Sequence, residues 1–188
     1  MDIQQAQSNM RSAYFGGGPG VAVSGLVWLA AGVVAMLHSP RTAMLTLFFG
    51  GMAIHPLGVL LTKLMGRSGQ HQKGSPLAHL AMESTAILLL GVFIAFTAAQ
   101  AKVEWFFPVM LIIIGGRYLL FQSMYGMRVY WTLGLVLAGA GVAAILTNPG
   151  IATTALLGGG IEVIAALFIL LQQRQTQSAS TAEQNNAG

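Results

Sequence analysis

The 188 residues are 55% hydrophobic and only 7% charged, against roughly 25% charged residues in an average soluble domain, which excludes an ordinary water-soluble domain. The formal charge of +4 is spread over single Lys and Arg residues that form no patch, so it excludes a nucleic-acid-binding face. Cysteine is absent, which removes disulfides, thiolate metal sites and a Cys nucleophile.

The chain opens with a polar or interfacial segment, residues 1–18, in which Ile3, Ala6, Met10 and Ala13 recur at helical spacing and suit a short helix lying at a membrane surface. The run Gly16-Gly17-Gly18-Pro19-Gly20 is expected to break that helix, because successive glycines and a proline do not propagate one. No basic start or small-residue cleavage site precedes the first apolar stretch, so a retained helix is expected and not a signal peptide.

Six apolar stretches of about 20 residues follow, each long enough to cross the hydrocarbon core, at about 19–37, 42–65, 77–99, 104–125, 128–146 and 151–171. The expected fold class is therefore all-α, a polytopic membrane protein with a six-helix domain over 19–171. Short links favour antiparallel neighbours, which gives three tandem helical hairpins at about 19–65, 77–125 and 128–171. The longest link, residues 66–76, is rich in Gly, Ser and charge and reads as a mobile connection. Residues 172–188, rich in Gln, Ser, Thr and Asn, read as a disordered tail.

An even number of spans places both termini on one side. That side carries Arg11, Lys63, Arg67, Lys73, Arg128 and Arg174, against Arg41 and Lys102 on the other. The asymmetry predicts cytoplasmic termini in a cell inner membrane.

Sliding the chain on itself by 109 residues aligns Gly25–Gly51 with Gly134–Gly160 without a gap, with 13 of 27 positions identical. The matches include Pro40 with Pro149 and Gly50-Gly51 with Gly159-Gly160, and the middle hairpin keeps Gly91-Val92 and Gly115-Gly116. A hairpin unit repeated three times is expected, with Gly50, Gly51, Gly115, Gly116, Gly159 and Gly160 allowing close helix approach.

This pattern, ending in Gly159-Gly160-Ile161-Glu162-Val163-Ile164, resembles the short membrane repeat of the HdeD-type acid-resistance proteins. The segments Gly50-Gly51-Met52-Ala53-Ile54-His55-Pro56-Leu57-Gly58 and Ala81-Met82-Glu83-Ser84-Thr85 are similar to features of an uncharacterised bacterial family of small six-span membrane proteins. The resemblance implies the six-span architecture and, on the HdeD side, a stress-response role. It carries over no catalytic residue.

Ionisable side chains inside spans are costly and mark candidate sites. At about 1.5 Å per residue, His55, Glu83, Arg117 and Glu162 lie roughly 10–15 Å from the cytoplasmic ends of their helices, in one layer. His79 is four residues from Glu83 and shares its helix face. Pro56, after His55, frees the carbonyl of Met52 for a kink or a binding point. The expected site is a polar centre of His55, His79, Glu83, Arg117 and Glu162. In it two carboxylates compete for one arginine, so that Arg117 pairs with Glu83, Glu162 or both. Such a centre suits binding or conducting a small solute or a proton. The alternatives are a structural or stress-response protein whose polar layer only fixes helix register, and a small intramembrane enzyme acting on lipid.

No catalytic residue, cofactor or metal is expected. His55, His79, Glu83 and Glu162 are acceptable zinc ligands by chemistry, but their spacing matches no established signature. Tyr118, Tyr125 and Tyr130 read as core or interface anchors. Membrane lipids are the expected partners, and a homo-oligomer is compatible with the sequence.

Overall fold

The computed structural model describes residues 2–70 and 76–186, with residues 76, 78 and 176–186 described as backbone only. Its helices are α1 (Ile3–Tyr14), α2 (Gly18–Leu37), α3 (Pro40–Leu64), α4 (Pro76–Ala101), α5 (Phe106–Tyr125), α6 (Val129–Thr147) and α7 (Ile151–Asn186), with 3₁₀ turns at Phe15–Gly17 and Val103–Trp105. Six helices are long and apolar enough to cross a membrane, and no strand occurs among the described residues. The protein is an all-α, multi-pass integral membrane protein.

Local chemistry sets the breaks between helices. Phe15, Gly16 and Gly17 take left-handed φ angles of 49°, 61° and 85°, which end α1, while Pro19 sits in the first turn of α2, where a missing N–H costs nothing. Ser39 caps α3 by accepting the Thr42 N–H at 3.2 Å, again with a proline in the first turn. Asn148 and Gly150, at φ 49° and 92°, turn the chain between α6 and α7.

The closest packing does not follow chain order throughout. The pairs α2/α3 and α4/α5 form hairpins as expected, but α6 and α7 are splayed, and the most extensive contacts are α2 with α7 and α5 with α6. Glycines explain the choice. A Cβ on Gly159 would stand 2.8 Å from the Gly25 carbonyl, and one on Gly115 would stand 2.6 Å from the Gly134 carbonyl. Backbones that approach this closely gain packing along their whole length, so α7 is drawn to α2 and α6 to α5. The glycine pairs expected to act alike therefore differ. Gly50 has the Val27 side chain as its nearest neighbour and not a backbone, and Gly51, Gly116 and Gly160 have nothing within 4 Å.

The face of α1 expected to rest on a membrane surface is instead turned into the protein. Ala6, Met10 and Ala13 are buried, and only Ile3 stays exposed. The helix lies across the end of α5, where Gln7 donates to the Ser123 carbonyl at 2.8 Å and Arg11 to the Tyr125 carbonyl at 2.6 Å. These last-turn carbonyls lack intrahelical donors, so α1 acts as a cap borrowed from elsewhere in the chain. With each bond worth about 1 kcal/mol, Gln7→Ala combined with Arg11→Ala should raise amide hydrogen exchange in residues 3–14 more than tenfold. Unchanged protection would mean that apolar contacts alone dock α1.

The tail also differs from expectation. The backbone of α7 stays helical through Asn186, because the run after Leu171 contains helix formers such as Gln, Arg and Ala and no Pro or Gly to stop a helix already under way. Part of the connection expected to be mobile, residues 71–75, lies outside the described residues, as do residues 187–188.

Candidate functional site

Glu162 sits on α7, whose small face of Ala155, Gly158, Gly159 and Ala166 lets neighbouring helices close around it. Its exposure is 0%. The Tyr118 hydroxyl, from α5, donates to Oε1 at 2.7 Å, and buried Ser24 from α2 adjoins both side chains. Oε2 is buried and has no hydrogen-bond partner among the described residues. A carboxyl in this position is half satisfied, which is an expensive arrangement inside a bundle.

Tyr118 links this carboxyl to the side of the bundle that carries both chain ends. Its ring stacks with Tyr130 at 6.0 Å, and Tyr130 stacks with Tyr125 at 5.5 Å. Phe121 packs edge-on to all three rings. Tyr130 donates to the Gly16 carbonyl in the first 3₁₀ turn, and the Tyr125 carbonyl takes the Arg11 bond. The buried carboxyl is thus joined through an aromatic column to the α1 cap.

Arg117 is half-buried, but it does not bridge the two glutamates. Its Nε donates to Ser84 Oγ at 3.0 Å, and the guanidinium lies 5.3 Å from the centre of the Phe121 ring. Among the described residues no ion pair joins it to Glu83 or Glu162. The reason is angular. Neighbouring residues in a helix are about 100° apart, so α4 can turn Ser84 or Glu83 toward α5, and it turns the small hydroxyl inward. Ser84 is fully buried, whereas Glu83 and His79, one turn apart on the same face, are both exposed.

His55 is exposed too, because α3 packs chiefly on α2 and leaves the His55-Pro56 face outside. Of the five residues expected in one centre, Glu162 and Arg117 border the same interior, and His55, His79 and Glu83 stay out of it. The alternative zinc set is dispersed with them, and no three His, Asp or Glu side chains converge among the described residues.

Sequence reasoning missed Tyr118 and Ser24 as partners of Glu162. One signal was present. Tyr118 stands two residues after Gly115-Gly116, just as Glu162 stands two after Gly159-Gly160, so the two helices bring equivalent positions into contact.

A model described as a family of unknown function (DUF7010) matches residues 3–172. The chain belongs to this family. The matched range in DUF7010 takes in α1 and all six spans, so the α1 cap lies within the family's domain and not outside it. The match makes no link to the HdeD-type proteins. No curated protein and no solved structure matches the chain.

Proposed function

We propose that the protein is a non-enzymatic component of the inner membrane, with both termini cytoplasmic, whose centre at Glu162 takes up a proton or a small hydrogen-bond donor without conducting it across the bilayer. The observation that carries this reading is the Glu162 Oε2 atom, buried within the bundle and without a partner among the described residues. Tyr118 already occupies Oε1, so Oε2 is the acceptor open to a guest. The Lys and Arg asymmetry supports the orientation. Conduction is disfavoured because His55, His79 and Glu83, which would continue a relay, lie on the exterior.

The competing reading makes the Glu162–Tyr118 pair a fastener between α7 and α5 and nothing more. Infrared difference spectra of the protein in lipid bilayers, taken across a pH step, separate the two. Uptake predicts a carboxyl band that disappears in Glu162→Gln, together with no proton flux in proteoliposomes. A spectrum without any Glu162-dependent band refutes uptake, and a Glu162-dependent flux refutes the claim that nothing is conducted.

A further inference from the structure

Because α6 and α7 are splayed, a cleft of about 1410 Å³ opens between them, larger than the roughly 300–1,000 Å³ of drug-sized pockets. Its walls are apolar, with Leu133 and Val136 from α6 and Ile161, Ile164 and Phe168 from α7. Its mouth, on the side of the bundle that carries both chain ends, is lined by Arg11, Arg67 and Arg128. The described lining contains no Asp or Glu to neutralise them.

The dimensions match one leaflet. From Arg128 to Val136 the wall runs roughly 12 Å along α6, and from Gln172 to Ile161 roughly 16 Å along α7, at about 1.5 Å per residue. Half of the roughly 30 Å hydrocarbon core is about 15 Å. The cleft is therefore charged where headgroups lie and apolar where acyl chains lie.

We infer that the α6–α7 cleft is a binding site for an anionic phospholipid of the leaflet on the side of both termini. The three arginines hold the phosphate, and the walls of α6 and α7 hold an acyl chain. The arginines come from separate elements that the fold brings together. Arg11 gives one of its five donors to the Tyr125 carbonyl, which holds the guanidinium at the mouth. Arg67 is steadied by lying 5.1 Å from the Phe15 ring centre. Arg128 is exposed at the start of α6. Forked guanidinium groups suit a phosphodiester, and basic pockets between spanning helices suit anionic headgroups. The site is separate from the Glu162 centre, so it stands or falls independently of uptake there.

The test compares the full-length protein in nanodiscs of phosphatidylglycerol and of phosphatidylcholine, with lipid retention after detergent extraction read by native mass spectrometry. The parent should retain phosphatidylglycerol preferentially. Arg67→Gln with Arg128→Gln should reduce that preference about fivefold per arginine, roughly 25-fold together. Val136→Trp, which fills the apolar wall and leaves the charges in place, should lose retention while unfolding at the parent's temperature in lipid-free detergent. The inference is overturned by equal retention of the two lipids, by an unchanged preference in the arginine variant, or by parental retention in Val136→Trp. It is also overturned if inorganic phosphate alone produces the thermal shift that phosphatidylglycerol produces, because the ligand would then be a free anion.

Discussion

Gly115→Ala is expected to destabilise the protein by about 3 kcal/mol, at the upper end of the cost of overpacking. Gly116→Ala should leave stability unchanged or raise it by up to about 1 kcal/mol, the helix-propensity gain of alanine over glycine. The two positions are adjacent in sequence and differ only in what faces them. A Cβ on Gly115 would lie 2.6 Å from the Gly134 carbonyl oxygen and 2.7 Å from the Ala138 backbone nitrogen, whereas one on Gly116 meets nothing within 4 Å. Backbone atoms in the middle of a helix cannot step aside as a side-chain tip can, so α5 and α6 must separate along their length. The same contrast should appear at Gly159 and Gly160, where the first faces the Gly25 carbonyl at 2.8 Å and the second faces open space. Unfolding in mixed micelles followed by circular dichroism measures all four. Equal stabilities within either pair would show that glycine contact does not select the helix partners.

Tyr118→Phe is expected to cost about 2–4 kcal/mol, and adding Glu162→Leu should recover most of that loss. The single change removes the hydroxyl that donates to Oε1 at 2.7 Å and leaves a wholly buried carboxyl whose Oε2 already has no hydrogen-bond partner among the described residues. Stranding a buried polar group costs its full desolvation, more when it is ionised, while replacing both partners with apolar groups of similar size can be nearly neutral. Arg117 should contribute less to this balance than its burial alone suggests, since its bond is to Ser84 and its charge rests over Phe121. Thermal unfolding of the parent, the single and the double variant in the same detergent gives the comparison. A Tyr118→Phe protein as stable as the parent would remove the hydrogen bond from any account of how α5 and α7 are held together.

The alignment of Gly25–Gly51 with Gly134–Gly160 treats the glycine pairs as equivalent, but it could not say that Gly159 would face α2 and Gly160 nothing at all. Glu162 was recognisable from its apolar surroundings in the chain, yet its partners Tyr118 and Ser24 are 44 and 138 residues distant. Depth along each helix can be counted from the sequence at about 1.5 Å per residue, and that count placed His55, Glu83, Arg117 and Glu162 in a single layer. Azimuth could not be counted, because it depends on which neighbour each helix meets.

The sequence by itself determined the class of protein, the number of spans and their approximate positions, and the break at Gly16-Gly17. Each of these follows from local properties: apolar length against bilayer thickness, and successive glycines and a proline that do not propagate a helix. Only the tertiary structure decided that α6 leaves α7 for α5, that α1 caps α5, and that Ser84 turns inward in place of Glu83. In a membrane no hydrophobic force singles out one apolar helix face over another, so partner choice falls to short-range packing and a few hydrogen bonds. Those depend on contacts between residues far apart in the chain, which no window of sequence contains.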